Sequence, residues 1–243
     1  MTAFRDFFRR RRVRRHVARN GWVFDFHGQK VTIPESAGIG AASGLLRGKY
    51  EAEEAAMIIK HLGVDRTVIE LGGSLGVIAR LIRSRLDPGI RHVVVEANPA
   101  LTETCRANAV IRVGDPTEIV TAAIHYDGPT ARFELSGNVH ANRVNGVGGG
   151  RMIEVPAITL ADVRARAGHP KTYALICDIE GGELPMVMRD GPALSDALLV
   201  IMELHPQFYP AGTKDEDALV RRMAELGLEE IDRVSDVRVW KRP

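Results

Sequence analysis

The stretch Val68-Ile69-Glu70-Leu71-Gly72-Gly73-Ser74-Leu75-Gly76 decides the fold of this chain. Its first four residues have the apolar, β-branched character of a short buried strand, and the glycines that follow predict a tight turn. Residues 77–86 then repeat with a helical period, and the run His92-Val93-Val94-Val95-Glu96 predicts a second strand. Together these pieces form one βαβ unit, which predicts a parallel sheet covered by helices on both faces.

Two later apolar runs, residues 173–177 and 198–202, extend this sheet, and each is followed by an acidic residue. Residues 229–240 alternate around a central turn, which predicts an antiparallel hairpin at the end of the chain. The predicted fold class is therefore α/β, Rossmann-like, with a mostly parallel doubly wound sheet and a C-terminal antiparallel hairpin. Ligands of such sheets bind at the carboxyl ends of the strands.

The composition is 45% hydrophobic and 26% charged among 243 residues, which excludes collagen, coiled coil and outright disorder. No apolar run approaches the ~20 residues of a membrane helix. The arginine-rich start lacks the apolar core of a secretory signal. Cys105 and Cys177 lie far apart without metal-ligand spacing, so a cytoplasmic protein with reduced thiols is expected.

Charge is distributed unevenly along the chain. Residues 1–20 hold eight arginines and one acid, a net charge of +7, so the remainder carries −5 within an overall charge of +2. Residues 1–47 are predicted to be a basic arm, a short hairpin and a glycine-rich loop beginning at Gly38, and residues 48–243 the main domain. The arm is expected to be a solvated helix that packs Phe4, Phe7, Phe8 and Val13 on the body. The alternative is contact with phosphate or anionic lipid.

The glycine turn fails the dinucleotide fingerprint, which needs glycine at its first, third and sixth positions. Counted from Gly72, those positions hold Gly72, Ser74 and Val77. A nucleoside cofactor without a pyrophosphate does not need that pattern, and S-adenosylmethionine is such a cofactor. A carboxylate at the end of the second strand can accept both ribose hydroxyls. The candidate cofactor-binding residues lie at the strand ends: Glu70, Gly72, Gly73, Ser74, Gly76, Glu96, Ala97, Asn98 and Asp178. Glu70 has the alternative of a structural acid bonded to loop amides.

The sequence resembles the FkbM-type family, a branch of the class I S-adenosylmethionine-dependent methyltransferases. The matching pieces run in family order over roughly residues 48–206: Gly48-Lys49-Tyr50-Glu51, the glycine turn, Val95-Glu96-Ala97-Asn98-Pro99, Thr159-Leu160-Ala161-Asp162, Cys177-Asp178-Ile179-Glu180-Gly181-Gly182-Glu183 and Glu203-Leu204-His205-Pro206. Relatives usually carry Ala-Asn where this glycine turn has Gly-Ser, and often a basic residue in place of Cys177. The resemblance implies the class I methyltransferase fold and O-methylation of a hydroxyl on a sugar, polyketide or similar small molecule.

Methyl transfer to an alcohol needs alignment and a base near the departing proton. Asp178 is a candidate base or acceptor-orienting group, and His205, which titrates near neutrality in water, is a candidate for a direct catalytic role. Glu180 and Glu183 are expected to hold the acidic turn or receive its amides. A hard cation such as Mg²⁺ could also be collected by Asp178, Glu180, Glu203 and His205, although spacing alone does not establish a metal site.

The middle of the chain is less regular. Asp127-Gly128 predicts a hairpin between residues 119–126 and 131–135. Residues 136–150 predict a polar loop whose Asn138, His140 and Asn142 are acceptor-pocket candidates or simple turn residues.

Two other function classes stay open from the sequence. A nicotinamide-dependent oxidoreductase is disfavoured by the broken glycine pattern. A non-catalytic or RNA-associated nucleoside-binding protein on the same fold would use the arginine arm, although the acidic body does not predict a stable nucleic-acid partner. The expected partner is a small-molecule hydroxyl acceptor, and neither a membrane span nor an oligomeric state is predicted.

Overall fold

A computed structural model describes residues 2–135, 143–144 and 151–243. The strands, in chain order, are β1 (Val23–Phe26), β2 (Gln29–Thr32), β3 (Val68–Leu71), β4 (His92–Glu96), β5 (Thr117–Thr121), β6 (Ala123–Ile124), β7 (Thr130–Leu135), β8 (Arg143–Val144), β9 (Arg151–Ile158), β10 (Tyr173–Cys177), β11 (Ala197–Glu203), β12 (Glu229–Val234) and β13 (Val237–Lys241). The helices are α1 (Thr2–Asn20), α2 (Gly38–Leu46), α3 (Ala52–His61), α4 (Val77–Arg85), α5 (Thr102–Ala109), α6 (Leu160–Arg166), α7 (Glu183–Arg189), α8 (Gly191–Leu194) and α9 (Thr213–Glu225).

A seven-stranded sheet with the order β12-β13-β11-β10-β3-β4-β5 forms the centre of the molecule. Strands β11, β10, β3, β4 and β5 pair in parallel, whereas β13 runs antiparallel to both β11 and β12. The predicted α/β fold, with a mostly parallel sheet and a C-terminal antiparallel hairpin, is confirmed. The order places β3 and β10 side by side, so the glycine turn after β3 lies next to the acidic turn after β10.

Continuous apolar sequence explains why the inner strands form here. Every residue of β3, β4 and β10 is buried, as expected for parallel strands covered on both faces. Apolar side chains on opposite faces join two large clusters, one containing Ile176 and Ile201 and the other containing Leu175 and Val200. The sheet is therefore a rigid platform that fixes the residues following each strand.

Helix ends follow the local sequence signals. Thr159 caps α6: its side chain accepts a hydrogen bond from the Asp162 amide, and the Asp162 carboxylate accepts one from the Thr159 amide. This reciprocal pair satisfies two amides that the first turn leaves without intrahelical partners. Pro185 lies in the first turn of α7, where its missing N–H removes no intrahelical bond.

The N-terminal segment packs on the same core as the sheet. Val13 of α1, Phe24 of β1, Val31 of β2 and Ala42 of α2 are buried in the apolar cluster that contains Ile176. The expected packing of Val13 is confirmed, but Phe7 and Phe8 are 59% and 48% exposed, so that part of the expectation is wrong. The expected packing of Phe4 concerns a side chain outside the described ones. The division into residues 1–47 and 48–243 stays a prediction.

Helix α2 replaces the predicted glycine-rich loop. Its Ala41, Ala42 and Leu45 side chains are buried, and tertiary packing of this face overrides the low helix propensity of its glycines. Gly44 lies close to Tyr50, and an added Cβ would stand 3.4 Å from the Tyr50 Cβ. The small residues therefore serve close packing rather than flexibility.

The predicted hairpin around Asp127-Gly128 is also wrong. Strands β6 and β7 do not pair with each other; β9 pairs in parallel with β6 and antiparallel with β7. Alternation in sequence indicated the strands correctly but does not specify a partner, and here the partner is distant along the chain. In the described residues, no helix is long and apolar enough to cross a bilayer.

Candidate active site

One cavity of about 540 Å³ opens at the carboxyl ends of β3, β4, β10 and β11. Its volume falls within the roughly 300–1,000 Å³ range of small-molecule sites. The wall comes from the glycine turn and the start of α4, from the residues after β4 and β10, from the end of β11 and His205, from residues 122–124 with Phe133 and Val144, and from the N-terminal segment that includes α2 and the start of α3. The sequence predicted the strand ends but not the last contribution.

The glycine turn borders this cavity closely. Gly72 has a φ of +95°, and an added Cβ would lie 1.8 Å from the Asp178 carbonyl oxygen, so only glycine fits between the two strand ends. Gly72, Gly73 and Ser74 all line the cavity. Gly76 does not: its added Cβ would lie 2.6 Å from the Cys105 carbonyl oxygen, so this glycine lets α4 approach α5.

Glu96 is 6% exposed and lines the cavity at the end of β4. Its Oε2 accepts a hydrogen bond from the Ser74 amide at 2.6 Å, and its Oε1 accepts one from the Asn98 amide at 2.6 Å. Burial raises the pKa of Glu96 to about 7, although both amide bonds act in the opposite direction. The carboxylate is therefore fixed in position, and each oxygen keeps a lone pair for a ligand hydroxyl.

Of the other candidate cofactor-binding residues near β3 and β4, one lines the cavity and two lie outside it. Ala97 lines the cavity. Asn98 does not line it; the Asn98 Oδ1 accepts a hydrogen bond from the Ala100 amide at 3.0 Å. Glu70 also lies away from the cavity, 2% exposed, with its Oε2 2.8 Å from the His92 Nε2. The structure thus makes Glu70 a structural acid, with a histidine ring rather than the expected loop amides as its partner.

An acidic group lines the cavity where β10 and β11 end, on the side of the sheet order away from Glu96 in β4. Carboxylate oxygens of Glu51, Asp178 and Glu203 lie within 4.8 Å of one another. Burial first, and then the charge of Glu51, raises the pKa of Asp178 well above its ordinary value, with the charge of His205 acting against them. Burial raises the pKa of Glu203 to about 7. The structure brings the expected group together, because carboxylate oxygens of Asp178, Glu180 and Glu203 lie 3.5, 3.6 and 3.8 Å from the His205 Nε2. Glu51 is an additional member of this group, and carboxylates in proximity do not by themselves assign a metal.

His205 sits among these acids. Its Nδ1 lies 3.0 Å from the Glu183 Oε1, and its Nε2 lies 3.5 Å from the Asp178 Oδ1 and 3.6 Å from the Glu180 Oε2. Burial lowers the pKa of His205, but the hydrogen bond to Glu183 and the surrounding carboxylates outweigh it and raise the pKa to about 10. The expectation of titration near neutrality is corrected, because His205 is an imidazolium at neutral pH.

Glu183 anchors both the histidine and the acidic turn. It is fully buried, and its carboxylate accepts hydrogen bonds from the amides of Ile179 and Gly181 and from the Tyr209 hydroxyl. The expectation that Glu183 receives amide groups of its turn is confirmed. Glu180 lies on the cavity wall instead, with a φ of +50°.

The cavity residues of the N-terminal segment were missed, and four of them carry polar groups that bear on the site: Arg9, Tyr50, Glu51 and Glu54. Glu54 is 5% exposed, and burial together with the charges of Asp178 and Glu51 raises its pKa well above the ordinary value. The motif Gly48-Lys49-Tyr50-Glu51 was a usable signal for two of the four. Asn138, His140 and Asn142, the acceptor-pocket candidates, lie outside the described residues.

Comparison with known families identifies the chain. Residues 70–229, which include the glycine turn, Glu96, Asp178 and His205, match the methyltransferase FkbM domain. This chain belongs to the FkbM methyltransferase family. The matched residues include both Glu96 and Asp178, and the chain has the Rossmann-like methyltransferase fold, with a mostly parallel central sheet.

Among curated proteins, no sequence matches this FkbM methyltransferase. Solved structures with a similar fold include an O-methyltransferase from Bacillus cereus in complex with SAH, 11% identical, with a TM-score of 0.43 over 78% of this chain and 79% of that one. A methyltransferase from Pyrococcus furiosus is 14% identical, with a TM-score of 0.43 over 93% and 92%. The fibrillarin pre-rRNA processing protein of Methanococcus jannaschii is 9% identical, with a TM-score of 0.49 over 90% and 81%.

Proposed function

We propose that this FkbM methyltransferase uses S-adenosylmethionine to methylate a hydroxyl group on a small molecule such as a sugar or polyketide. The observation that carries the proposal is a single cavity in which Glu96 and Asp178 both lie, one beside the glycine turn and the other beside His205. A binding carboxylate and a reactive carboxylate in one cavity are what a nucleoside-dependent transferase needs.

The residues of the glycine turn suit a nucleoside. Gly72 and Gly73 offer backbone without side chains, and Ala97 presents only a methyl group beside Glu96. The fixed Glu96 carboxylate can accept two ribose hydroxyls without giving up its amide bonds. The cofactor supplies a methyl group on a sulfonium centre, and the protein supplies its alignment with the acceptor.

Asp178 is the proposed base. Its Oδ1 is buried and accepts no hydrogen bond from any described residue, which leaves this oxygen available for an acceptor hydroxyl. Burial and the neighbouring charge of Glu51 raise the pKa of Asp178, and a carboxylate with a raised pKa takes a proton more readily than an ordinary one. Asp178 would therefore orient the hydroxyl and receive its proton as the methyl group is transferred.

His205 is proposed as a positioning residue rather than a base. With a pKa of about 10 it already carries its proton at neutral pH, so it cannot accept another. Glu183 holds its Nδ1, and the Nε2 faces Asp178 and Glu180. The imidazolium thereby offsets part of the negative charge around Asp178 and keeps that carboxylate at the cavity wall.

The remaining parts of the proposal concern the setting of the enzyme. Cys105 and Cys177 are free and buried, which agrees with a reducing compartment, and we place the enzyme in the cytoplasm. We propose no metal step for the reaction. A small-molecule acceptor is the expected partner.

Mass spectrometry of the purified protein under native conditions tests the proposed cofactor. The expected result is a 1:1 complex with added S-adenosylhomocysteine, reduced in Glu96→Ala and kept in the exposed control Glu103→Gln. Selective binding of NADH would contradict the proposal and favour an oxidoreductase. Release of S-adenosylhomocysteine with a panel of hydroxyl compounds then identifies the acceptor.

A further inference from the structure

The outer face of α1 combines basic and aromatic side chains. Val13 is 1% exposed and marks the inner face, which is fixed to the body where His16 stacks on Phe24 with ring centroids 4.6 Å apart. Residues three or four positions apart share one side of a helix. Phe7, Arg11 and Arg15 therefore lie together on the opposite side, and all three are exposed.

This surface carries charge that the described part of the protein does not neutralise. Arg11 and Arg15 form no ion pair with any described residue, and Asp6 is the one acid among residues 1–20. The remainder of the chain has a net charge of −5. A negatively charged surface would therefore attract this helix and repel the rest of the molecule, which orients the protein on that surface.

The exposed aromatic residues indicate what kind of surface this is. Phe7 and Phe8 are 59% and 48% exposed, with their rings packed edge to face at 5.6 Å. Solvated phenylalanines beside arginines are the composition of helices that lie in the lipid headgroup region, where the rings enter the acyl boundary and the guanidinium groups contact phosphate. A nucleic-acid partner would account for the arginines but leaves the adjacent ring pair without a specific role.

We infer that α1 docks this enzyme on an anionic lipid surface through Phe7, Phe8, Arg11 and Arg15. The same helix reaches the active-site cavity, because Arg9 lines the wall. Because Arg9 shares the inner side of α1 with Val13, docking would hold the cavity wall one helix diameter, ~10 Å, from the lipid, which favours an acceptor anchored in that surface. This corollary about the acceptor rests on the proposed function, whereas the docking itself does not.

Vesicle co-sedimentation with the full chain tests the inference. The probe is a vesicle of equal parts phosphatidylglycerol and phosphatidylcholine, compared with pure phosphatidylcholine. The wild type should sediment with the anionic vesicles only, and Arg11→Gln/Arg15→Gln and Phe7→Ser/Phe8→Ser should each weaken binding ~10-fold or more. The control Arg112→Gln/Arg221→Gln removes two exposed arginines elsewhere and should bind as the wild type does.

The variants alter exposed side chains and leave Val13 in place, so their melting temperatures should match that of the wild type. Equal sedimentation of all variants, or no binding by the wild type, would overturn the inference. Binding to single-stranded RNA in place of vesicles would also overturn it, in favour of a nucleic-acid partner. None of these results depends on S-adenosylmethionine, so the proposed function stands or falls separately.

Discussion

The two ends of the active-site cavity treat their carboxylates in opposite ways. At the glycine turn, Glu96 receives backbone amides on both oxygens and is held in one position. At the other end, Glu51, Asp178 and Glu203 lie close together, and burial, followed by the neighbouring negative charges, raises the pKa of Asp178 and Glu203. The first arrangement suits binding a neutral ribose, and the second suits proton transfer.

This difference shows how cofactor affinity and the rate of methyl transfer can depend on different carboxylates of one cavity. Amide bonds supplied by the backbone fix a carboxylate at little conformational cost, because the turn is already ordered by Gly72. Neighbouring carboxylates repel one another when they are charged. The acidic turn holds its position despite this repulsion, because Glu183 accepts a hydrogen bond from the Gly181 amide and contacts His205. We therefore expect substitutions at the two ends to affect different measurable quantities.

The largest effect is expected from Asp178→Asn, which keeps the shape and removes the charge. Loss of a general base lowers methyl transfer by ~10²-fold or more. Cofactor affinity should change little, because Asp178 follows β10, which is separated by β3 from β4, the strand that Glu96 ends. Turnover and calorimetric binding of S-adenosylhomocysteine on the same preparation check both statements.

Asp65→Asn, at a side chain that is 69% exposed, is the matched control and should behave as the wild type. If Asp178→Asn loses affinity along with rate, Asp178 holds the cofactor. If it loses stability but keeps its activity per folded molecule, it merely supports the turn.

The next effect is expected from Glu96→Ala at the glycine turn. Loss of charge-assisted hydrogen bonds to the ribose weakens cofactor binding by about 1.5–3 kcal/mol. The rate at saturating cofactor should stay near that of the wild type, because the acidic end is unchanged. Initial rates across a range of cofactor concentrations separate the two quantities, and a fall in rate at saturation would break the comparison between the two ends.

The affinity for S-adenosylhomocysteine should also depend on pH. With a pKa of about 7, Glu96 loses its negative charge as the pH falls through neutrality, so affinity should fall from pH 8 to pH 6. One titrating group limits the slope to about tenfold per pH unit. Glu96→Gln should remove the dependence, and a profile that persists in this variant would assign the titration to another residue.

The smallest effect concerns stability at the acidic end. Glu54 has a pKa raised in the folded state, so the folded protein binds more protons than the unfolded chain, and stability falls as the pH rises toward the folded pKa. The glutamine of Glu54→Gln does not titrate, so the stability of this variant does not fall with pH for this reason. Its melting temperature should be about 2–4 °C above that of the wild type at pH 8, and this gap in melting temperature should be smaller at pH 5. Thermal denaturation at both pH values measures the gap.

Glu53→Gln, at the exposed neighbouring position on α3, is the control for that experiment. It should leave the melting temperature unchanged at both pH values. A gap for Glu54→Gln that does not grow with pH would show that Glu54 is already charged in the folded protein at pH 5, and that its pKa is therefore not raised by burial.

Much of the fold could be predicted because its signals are local. Continuous apolar runs marked β3, β4 and β10, and the alternation around Ser235-Asp236 marked the C-terminal hairpin that the structure confirms. Helix α2 could not be predicted in this way. Its glycines argue against a helix, and only the burial of Ala41, Ala42 and Leu45 against distant residues stabilises it.

The site residues that could be predicted are also those with a local sequence signal. Glu96 and Asp178 were identifiable because each ends a buried strand, and strand ends converge on one edge of the sheet. Arg9 and Glu54 were missed because they reach the cavity from helices that precede the first central strand. The pKa of His205 could not be predicted either, since it depends on Glu183, 22 residues away in sequence.

A crystal structure of the protein with S-adenosylhomocysteine tests the central claim most directly. The account predicts both ribose hydroxyls within hydrogen-bond distance of the Glu96 carboxylate, and the sulfur atom directed toward Asp178 and His205. A ligand placed the other way round, with its ribose against Asp178 and Glu203, would contradict the division of the cavity into a binding end and a reactive end.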